Sequence, residues 1–375
     1  AESVALAWRF PGLASKDFEV LQVVSQVLYN GKAGLIDLDL NQQQKVLNSY
    51  GYPMGLADYS AFILGGLPKQ GQTLEEVKDL LLNEIKKLRA GEFDEKMLQA
   101  NINNFKLYEL QSMESNEGRA DIFVNSFING TNWEDEVTAI DRMAKLTKED
   151  IVAFADKYLK EDNYAVVYKK QGKDPNEKKM TKPEITPIVS NRDVASPFLT
   201  SIQENAVKPI EPVFLDFKKD MSQLTAKSDI PVLYKQNTTN DLFQLIYVFD
   251  MGNNNDKALG TAFDYLEYLG TSDMTPEELK SEFYRLACTF YVSPGNERTY
   301  VVLSGLNENM PAAMQLFEKL LADAQVNKEA YNNLVGDILK ARADAKLNQG
   351  QNFSRLMNYA MYGPKSPATN LLTEA

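Results

Sequence analysis

The chain carries the same order of predicted secondary-structure elements twice, with matched positions about 235–240 residues apart. A strand that ends at Phe10-Pro11-Gly12 precedes a helix, and a strand that ends at Asp250-Met251-Gly252 precedes another. Later elements match in the same order: strands at 61–67 and 299–306, helices at 73–88 and 310–324, and helices at 93–112 and 327–347. A repeat this long predicts a duplicated domain rather than a solenoid.

Local signals identify the element types in both copies. The first strand is predicted from the alternation of large apolar residues at Val4, Leu6, Trp8 and Phe10. Ser15 is a suitable N-cap for a helix over 15–29, and Thr73 with Glu76 forms a capping box. Small residues at 30–34 predict a turn that leads to a second helical stretch through Leu47, and residues 52–57 are predicted as a strand. We therefore predict an α+β fold: two related domains of antiparallel or mixed sheet with helices packed on one face.

A segment of different composition separates the copies. Residues 173–212 are rich in lysine and proline, and long apolar periodicity is missing apart from 198–202. This composition predicts an interdomain linker between a domain at 1–172 and a domain at 213–375. The second domain is expected to be cut short near 371–375, on the way into a further helix.

Composition excludes several classes of function. A net charge of −12 argues against nucleic acid as a partner, because phosphate binding needs a basic face. No apolar run approaches the ~20 residues that a membrane span requires. The chain has no histidine, so it lacks the usual general base and the commonest zinc ligand. Its single cysteine, Cys288, has apolar neighbours and is predicted to be a buried small hydrophobe rather than a nucleophile.

One stretch carries the outline of a catalytic motif. Asp264, Glu267 and Tyr268 close an amphipathic helix over 257–269, just before Gly270-Thr271. With histidine at 264 and 268, the stretch would read H-x-x-E-H, which places two zinc ligands and a general base on one helical face.

The duplicated α+β unit, the degenerate motif and the lysine-rich linker together resemble the insulinase/pitrilysin family of zinc metallopeptidases, the inverted H-x-x-E-H family. The resemblance implies four related α+β domains in two halves that close on a peptide, with the zinc site in the first domain. Residues 1–172 are then similar to the second domain, and residues from 213 to the third. The first and fourth domains would be missing here, and zinc would bind in the missing first domain.

The resemblance also assigns positions within this chain. Asp264 stands where the first histidine would, Glu267 where the catalytic glutamate would, and Tyr268 where the second histidine would. Asp337, on a later helix, lies near the position of the glutamate ligand. We therefore expect no catalytic, cofactor-binding or metal-binding residue here, and no activity from this chain alone.

The expected role is that of chamber wall and junction between halves, with a peptide or unfolded protein as substrate of the whole protein. The alternative is an insulinase-fold binding or assembly module with no proteolytic role. A more remote option uses Asp264, Glu267 and Asp337 as a hard-cation site or in a carboxylate hydrolase. The resemblance favours a periplasmic or otherwise extracytoplasmic location in a bacterium.

Two further features of the first domain give no definite assignment. The triplet Gln42-Gln43-Gln44 lies in the region that corresponds to a substrate-holding arginine of the family, and no substrate residue carries over to it. Tyr50, Tyr52 and Tyr59 fit either packing residues or a peptide-binding wall.

Overall fold

The computed structural model describes residues 2–173, 178, 180–188, 190–366, 369 and 372. The predicted first strand begins at Ala1, which lies outside these residues. The helix expected over 371–375 also lies outside them, except for residue 372. The chain divides into two compact units, one formed by Ala1–Gln171 with Thr238–Ala375 and the other by Gly172–Asn237. The predicted domain boundaries at 172 and 212 stay a prediction.

The first part of the larger unit alternates strands and helices, with a short π-helix at Asp37–Gln42. Its elements are β1 (Ser3–Pro11), α1 (Lys16–Leu28), β2 (Asn48–Met54), β3 (Tyr59–Leu67), α2 (Leu74–Arg89), α3 (Lys96–Ser112), α4 (Asn116–Asn129), α5 (Trp133–Val137), α6 (Ala139–Met143), α7 (Lys148–Tyr158) and β4 (Ala165–Lys169).

The smaller unit contains α8 (Pro197–Gln203) and a two-stranded antiparallel sheet of β5 (Ser222–Thr225) and β6 (Pro231–Tyr234). The larger unit then resumes with β7 (Leu242–Phe249), α9 (Leu259–Leu266), α10 (Pro276–Arg285), β8 (Cys288–Pro294), β9 (Thr299–Leu306), α11 (Met310–Asp323), α12 (Lys328–Ala345) and α13 (Gln349–Tyr362).

The two sheets of the larger unit share one strand order. The first runs β2-β3-β1-β4 and the second β7-β9-β8, with every pairing antiparallel. In the first sheet β3 lies between β1 and β2, and in the second sheet β9 lies between β7 and β8. Strands β1, β2 and β3 therefore correspond to β7, β8 and β9. The α+β class predicted from the sequence is confirmed, and the repeated element order is a repeated topology.

Each sheet is covered by helices on one face. On β1 the alternating side chains of Val4, Leu6, Trp8 and Phe10 are buried, and α2 and α7 pack against this strand. The second sheet packs mainly against α10 and α11, where Leu303 and Phe317 are buried. Fully burying such a side chain stabilises the fold by about 1.5–3 kcal/mol, so the alternation determines which face of each strand packs inward.

Several local expectations need correction. The helix expected after Gly34 is the short π-helix, and the strand expected at 52–57 begins earlier, at Asn48. Strand β8 had no prediction, although its pairing with β9 places Cys288 in the second core. Cys288 is buried as expected, and burial raises the pKa of its thiol to about 11. Among the described residues, no helix is long and apolar enough to cross a membrane.

Candidate functional site

The degenerate motif straddles the end of helix α9. Asp264 lies in the last turn of α9, and Glu267 is the C-cap of this helix. Tyr268 follows in a turn, where its main-chain N–H donates to the main-chain oxygen of Tyr265 at 3.0 Å. The helix is therefore shorter than the predicted 257–269. Gly270 permits a tight turn, because a Cβ atom there would lie 2.4 Å from the Met274 oxygen.

Helix α12, which carries Asp337, is tied to the motif helix. The Tyr265 hydroxyl donates to the Asn327 oxygen at 2.6 Å and accepts from the Asn327 N–H at 2.8 Å. The Tyr265 ring also packs edge-on against Tyr331, with ring centroids 5.7 Å apart. The two elements that would carry zinc ligands in an active domain are thus held together here.

The first copy of the fold contacts this pair of elements through polar side chains. The Gln42 amide donates to the main-chain oxygen of Glu267 at 3.2 Å. The Gln44 amide donates to the Ala330 oxygen, also at 3.2 Å, from a residue with a positive φ of 50°. The Lys69 ammonium lies 3.5 Å from the Asp337 carboxylate. Three of the contacts to the motif region therefore come from the other copy.

The charge environment at the motif disfavours ionised ligands. Burial, followed by the nearby Glu267 charge, raises the pKa of Asp264. Burial raises the pKa of Asp337, and the Lys69 charge opposes this effect. Burial and three surrounding carboxylates raise the pKa of the Tyr268 phenol. A phenol that stays protonated is a poor replacement for an imidazole ligand.

The residues at the motif positions therefore do not fit zinc. They offer no imidazole nitrogen, and the Asp337 carboxylate is paired with an ammonium group. Across the part of the chain that the structure describes, no three or more His, Cys, Asp or Glu side chains are placed to hold a metal ion. The hard-cation site considered for the three carboxylates has no geometric support.

A second cluster lies where the first copy meets α10. The loop at Asn30–Gly34, predicted as a turn, is organised by Asp37, whose carboxylate accepts N–H groups of Asn30, Gly31 and Gly34 at 2.8, 3.1 and 3.0 Å. Burial raises the pKa of Asp37 to about 6, although these hydrogen bonds favour its charged form. The same loop carries Lys32, whose ammonium donates to the Thr289 hydroxyl of β8.

Buried polar contacts also join α10 of the second copy to helix α3 of the first copy. The Tyr284 hydroxyl donates to the Asn101 side-chain oxygen at 2.8 Å, and Tyr284 is 2% exposed. The Asn104 amide donates to the Tyr284 main-chain oxygen at 2.9 Å. Burial raises the pKa of Tyr284 far above its usual range. Sequence analysis missed these residues and Lys32, because their partners are more than 100 residues away.

Both sheets leave one face uncovered by helices. On the first, Tyr50 and Tyr52 stack with centroids 6.1 Å apart, and the Arg9 guanidinium lies over the Tyr59 ring. Tyr52 and Tyr59 are exposed, as are Ile246, Val248, Tyr291 and Tyr300 on the second sheet. These faces combine aromatic and aliphatic side chains at the surface.

A protein-family model matches part of the first copy. Residues 1–105 match the family model described as the M16 peptidase inactive domain. The resemblance to the M16, or insulinase-type, peptidases is confirmed. The matched region, which includes β1 to β3, thus resembles a non-catalytic domain of that family. No curated protein matches the chain significantly.

Several proteases of known structure match this chain at low sequence identity. A protease from Helicobacter pylori is 22% identical with a TM-score of 0.43, and the match covers 45% of this chain and 41% of that protein. The periplasmic protease PqqL from Escherichia coli is 13% identical with a TM-score of 0.36, over 99% and 44%. The ferredoxin protease FusC, in complex with Arabidopsis ferredoxin, is 9% identical with a TM-score of 0.43, over 100% and 44%. The chain spans less than half of each protein.

Proposed function

We propose that this chain is the non-catalytic middle section of an insulinase-like zinc metalloendopeptidase, where it forms chamber wall and the junction between the two halves. The observation that carries this proposal is the use of the motif positions in contacts with the other copy. The main-chain oxygen of Glu267 accepts from Gln42, and the carboxylate of Asp337 pairs with Lys69. The position of the catalytic glutamate and the position near a metal ligand of active domains here join one copy of the fold to the next.

The uncovered sheet faces support the chamber-wall part of the proposal. A chamber that holds unfolded peptides needs apolar and aromatic surface that tolerates many sequences, and exposed tyrosines provide both an apolar ring and a polar hydroxyl. Tyr52 and Tyr59 on the first sheet, and Tyr291 and Tyr300 on the second, are suitably exposed. We propose peptide or unfolded protein as the partner that contacts these faces.

Zinc belongs to a separate domain in this proposal. The residues at 264, 267, 268 and 337 lack the donor set for it, so catalysis would be carried out by the first domain of the complete protein. A fourth domain would complete the second half. An extracytoplasmic location in a bacterium remains a proposal that follows from the family resemblance.

The test compares this chain with the complete protein from the same reading frame, by zinc content and by cleavage of an unstructured peptide. We expect stoichiometric zinc and cleavage for the complete protein and neither for this chain. If the complete protein shows neither property, the alternative of a binding or assembly module replaces the proposal. If this chain alone binds zinc stoichiometrically, the assignment of the motif as degenerate is wrong.

A further inference from the structure

A cavity of about 120 Å³ lies between the loop that carries Lys32 and helix α10. Its polar lining consists of Lys32, Glu267, Lys280 and Thr289. We propose that this cavity binds a small carboxylate with a compact apolar body, held by the ammonium groups of Lys32 and Lys280. The site is independent of the proposed peptidase role, and its test does not require catalysis.

The two lysines have hydrogen-bonding capacity to spare. An ammonium group has three N–H donors, and among the described residues the Lys32 ammonium donates to the Thr289 hydroxyl alone. The ammonium group of Lys280 makes no hydrogen bond or ion pair with any described residue, and it lies 5.9 Å from the centroid of the Tyr268 ring. Partly buried donors without partners cost free energy, which a bound anion would recover.

The charges around the cavity leave the two ammonium groups without a close counterion. Burial lowers the pKa of both lysines, and the nearby Glu267 charge raises it at both; at Lys32 the smaller effect of the Lys280 charge lowers it. Asp37 also raises the pKa of both lysines and Glu277 that of Lys280, but Asp37 already accepts three backbone N–H groups. None of these three carboxylates lies within ion-pair distance of Lys32 or Lys280. A bound carboxylate that accepts from both ammonium groups would supply the close negative charge that these residues do not.

The rest of the wall determines the body of the ligand. Leu266, Leu279, Phe283 and Phe290 line the cavity, and most of its surface is apolar. An apolar cavity of ~150 Å³ in another protein holds benzene, so a cavity of this size suits an acid of about four to six carbons. Such a group occurs both as a free short-chain acid and as the C-terminal leucine or valine of a peptide.

Isothermal titration of this chain with sodium isovalerate tests the site, with isovaleramide as an uncharged ligand of the same shape. We expect the acid to bind, and we expect the affinity of the amide to be lower by about tenfold or more. A tenfold difference corresponds to about 1.4 kcal/mol in binding free energy. Lys280→Gln should weaken acid binding by about tenfold, and Lys280→Arg should largely preserve it. Lys106→Gln, at an exposed position on α3, is the control for loss of one positive charge and should leave binding unchanged.

Glu267→Gln tests the sign of the electrostatics. It removes the carboxylate that faces the anion, so we expect tighter binding, by severalfold. This variant also keeps the proposal testable if Lys280→Gln does not fold. A peptide that ends in leucine, titrated with a free and with an amidated C-terminus, distinguishes a peptide ligand from a free acid. Binding of isovalerate without binding of the peptide assigns the site to free acids. Binding of isovalerate and of the peptide with a free C-terminus shows that the site accepts both kinds of ligand.

Three results would overturn the proposal. The first is equal affinity for isovalerate and isovaleramide, which would make the cavity merely apolar. The second is unchanged affinity in Lys280→Gln together with unchanged or weaker affinity in Glu267→Gln. The third is the absence of binding by every carboxylate tested at concentrations up to about 10 mM, which corresponds to a binding free energy weaker than about −3 kcal/mol.

Discussion

The Lys69 ammonium lies 3.5 Å from the Asp337 carboxylate and donates a 2.8 Å hydrogen bond to the main-chain oxygen of Gln44. Lys69 thus joins the loop after β3 to helix α12 and also supports Gln44, whose side chain reaches Ala330. Asp337 is the residue near the ligand position that the family resemblance implies, and here its carboxylate pairs with the Lys69 ammonium.

A double-mutant cycle measures how much this pair stabilises the junction. We expect a coupling free energy of about 0.5–1.5 kcal/mol between Lys69→Met and Asp337→Asn, because both side chains are mostly buried. Urea denaturation of the four proteins gives the value. The control cycle uses Arg298 with Asp250, a pair that is 58% and 83% exposed, for which we expect less than about 0.5 kcal/mol. Equal coupling in the two cycles would argue against a stabilising role for the Lys69–Asp337 pair.

The buried hydroxyl of Tyr284 gives a second test of the junction. Tyr284→Phe removes the hydroxyl that donates to Asn101 at 2.8 Å and lies 3.4 Å from the Gln26 side-chain oxygen. It leaves the Asn101 oxygen buried next to an amide nitrogen that already has no partner among the described residues. We expect a loss of about 1–3 kcal/mol in the free energy of unfolding, measured by chemical denaturation. Tyr331→Phe removes an exposed hydroxyl and should change stability by less than about 0.5 kcal/mol. A Tyr284→Phe variant as stable as Tyr331→Phe would show that this contact contributes nothing.

The architecture was largely predictable from sequence because it depends on local patterns. The alternation at Val4, Leu6, Trp8 and Phe10 predicted β1, and the Thr73–Glu76 capping box is present at the start of α2. The short π-helix was mistaken for a longer helix because its apolar residues also fit a helical period. Strand β8 was missed because its sequence, Cys-Thr-Phe-Tyr-Val-Ser-Pro, does not alternate cleanly.

The site was predictable only in part. The motif positions were identified from their spacing, and Gln42 and Gln44 were noted as residues without a family role. Their actual partners, Glu267 and Ala330, are more than 200 residues away, and no local pattern encodes such a contact. Lys32 and Lys280 gave no signal for the same reason, since a lysine in a loop or on an amphipathic helix is normally exposed.

Asp37 predicts a specific dependence of stability on pH. Its folded-state pKa of about 6 lies above the ordinary value of 3.8, so the native state binds this proton more tightly. Its contribution to stability is therefore fully present below about pH 4 and is lost as the pH rises through 6. The Asp37→Asn side chain does not titrate. We therefore expect the free energy of unfolding of the variant, relative to that of the wild type, to rise by roughly 2–3 kcal/mol between pH 4 and pH 7.

Chemical denaturation at several pH values measures this difference. Asp79→Asn, at an exposed position on α2, is the matched control for loss of one carboxylate. Carbon-13 NMR of the Asp37 carboxyl gives its pKa directly. A value near 4, with a pH-independent difference for Asp37→Asn, would contradict the buried environment described for this residue.

In the proposed function, the motif positions of this chain form a junction and take no part in catalysis. The most direct measurement is zinc content and peptide-cleavage rate of the complete protein carrying Asp264→Asn, at the position of the first histidine. We predict zinc content equal to that of the unaltered protein and a cleavage rate within about twofold of it, because a non-ligand carboxylate has no role in the reaction. Loss of zinc, or a fall in rate of about a hundredfold or more in a variant that remains folded, would contradict the claim.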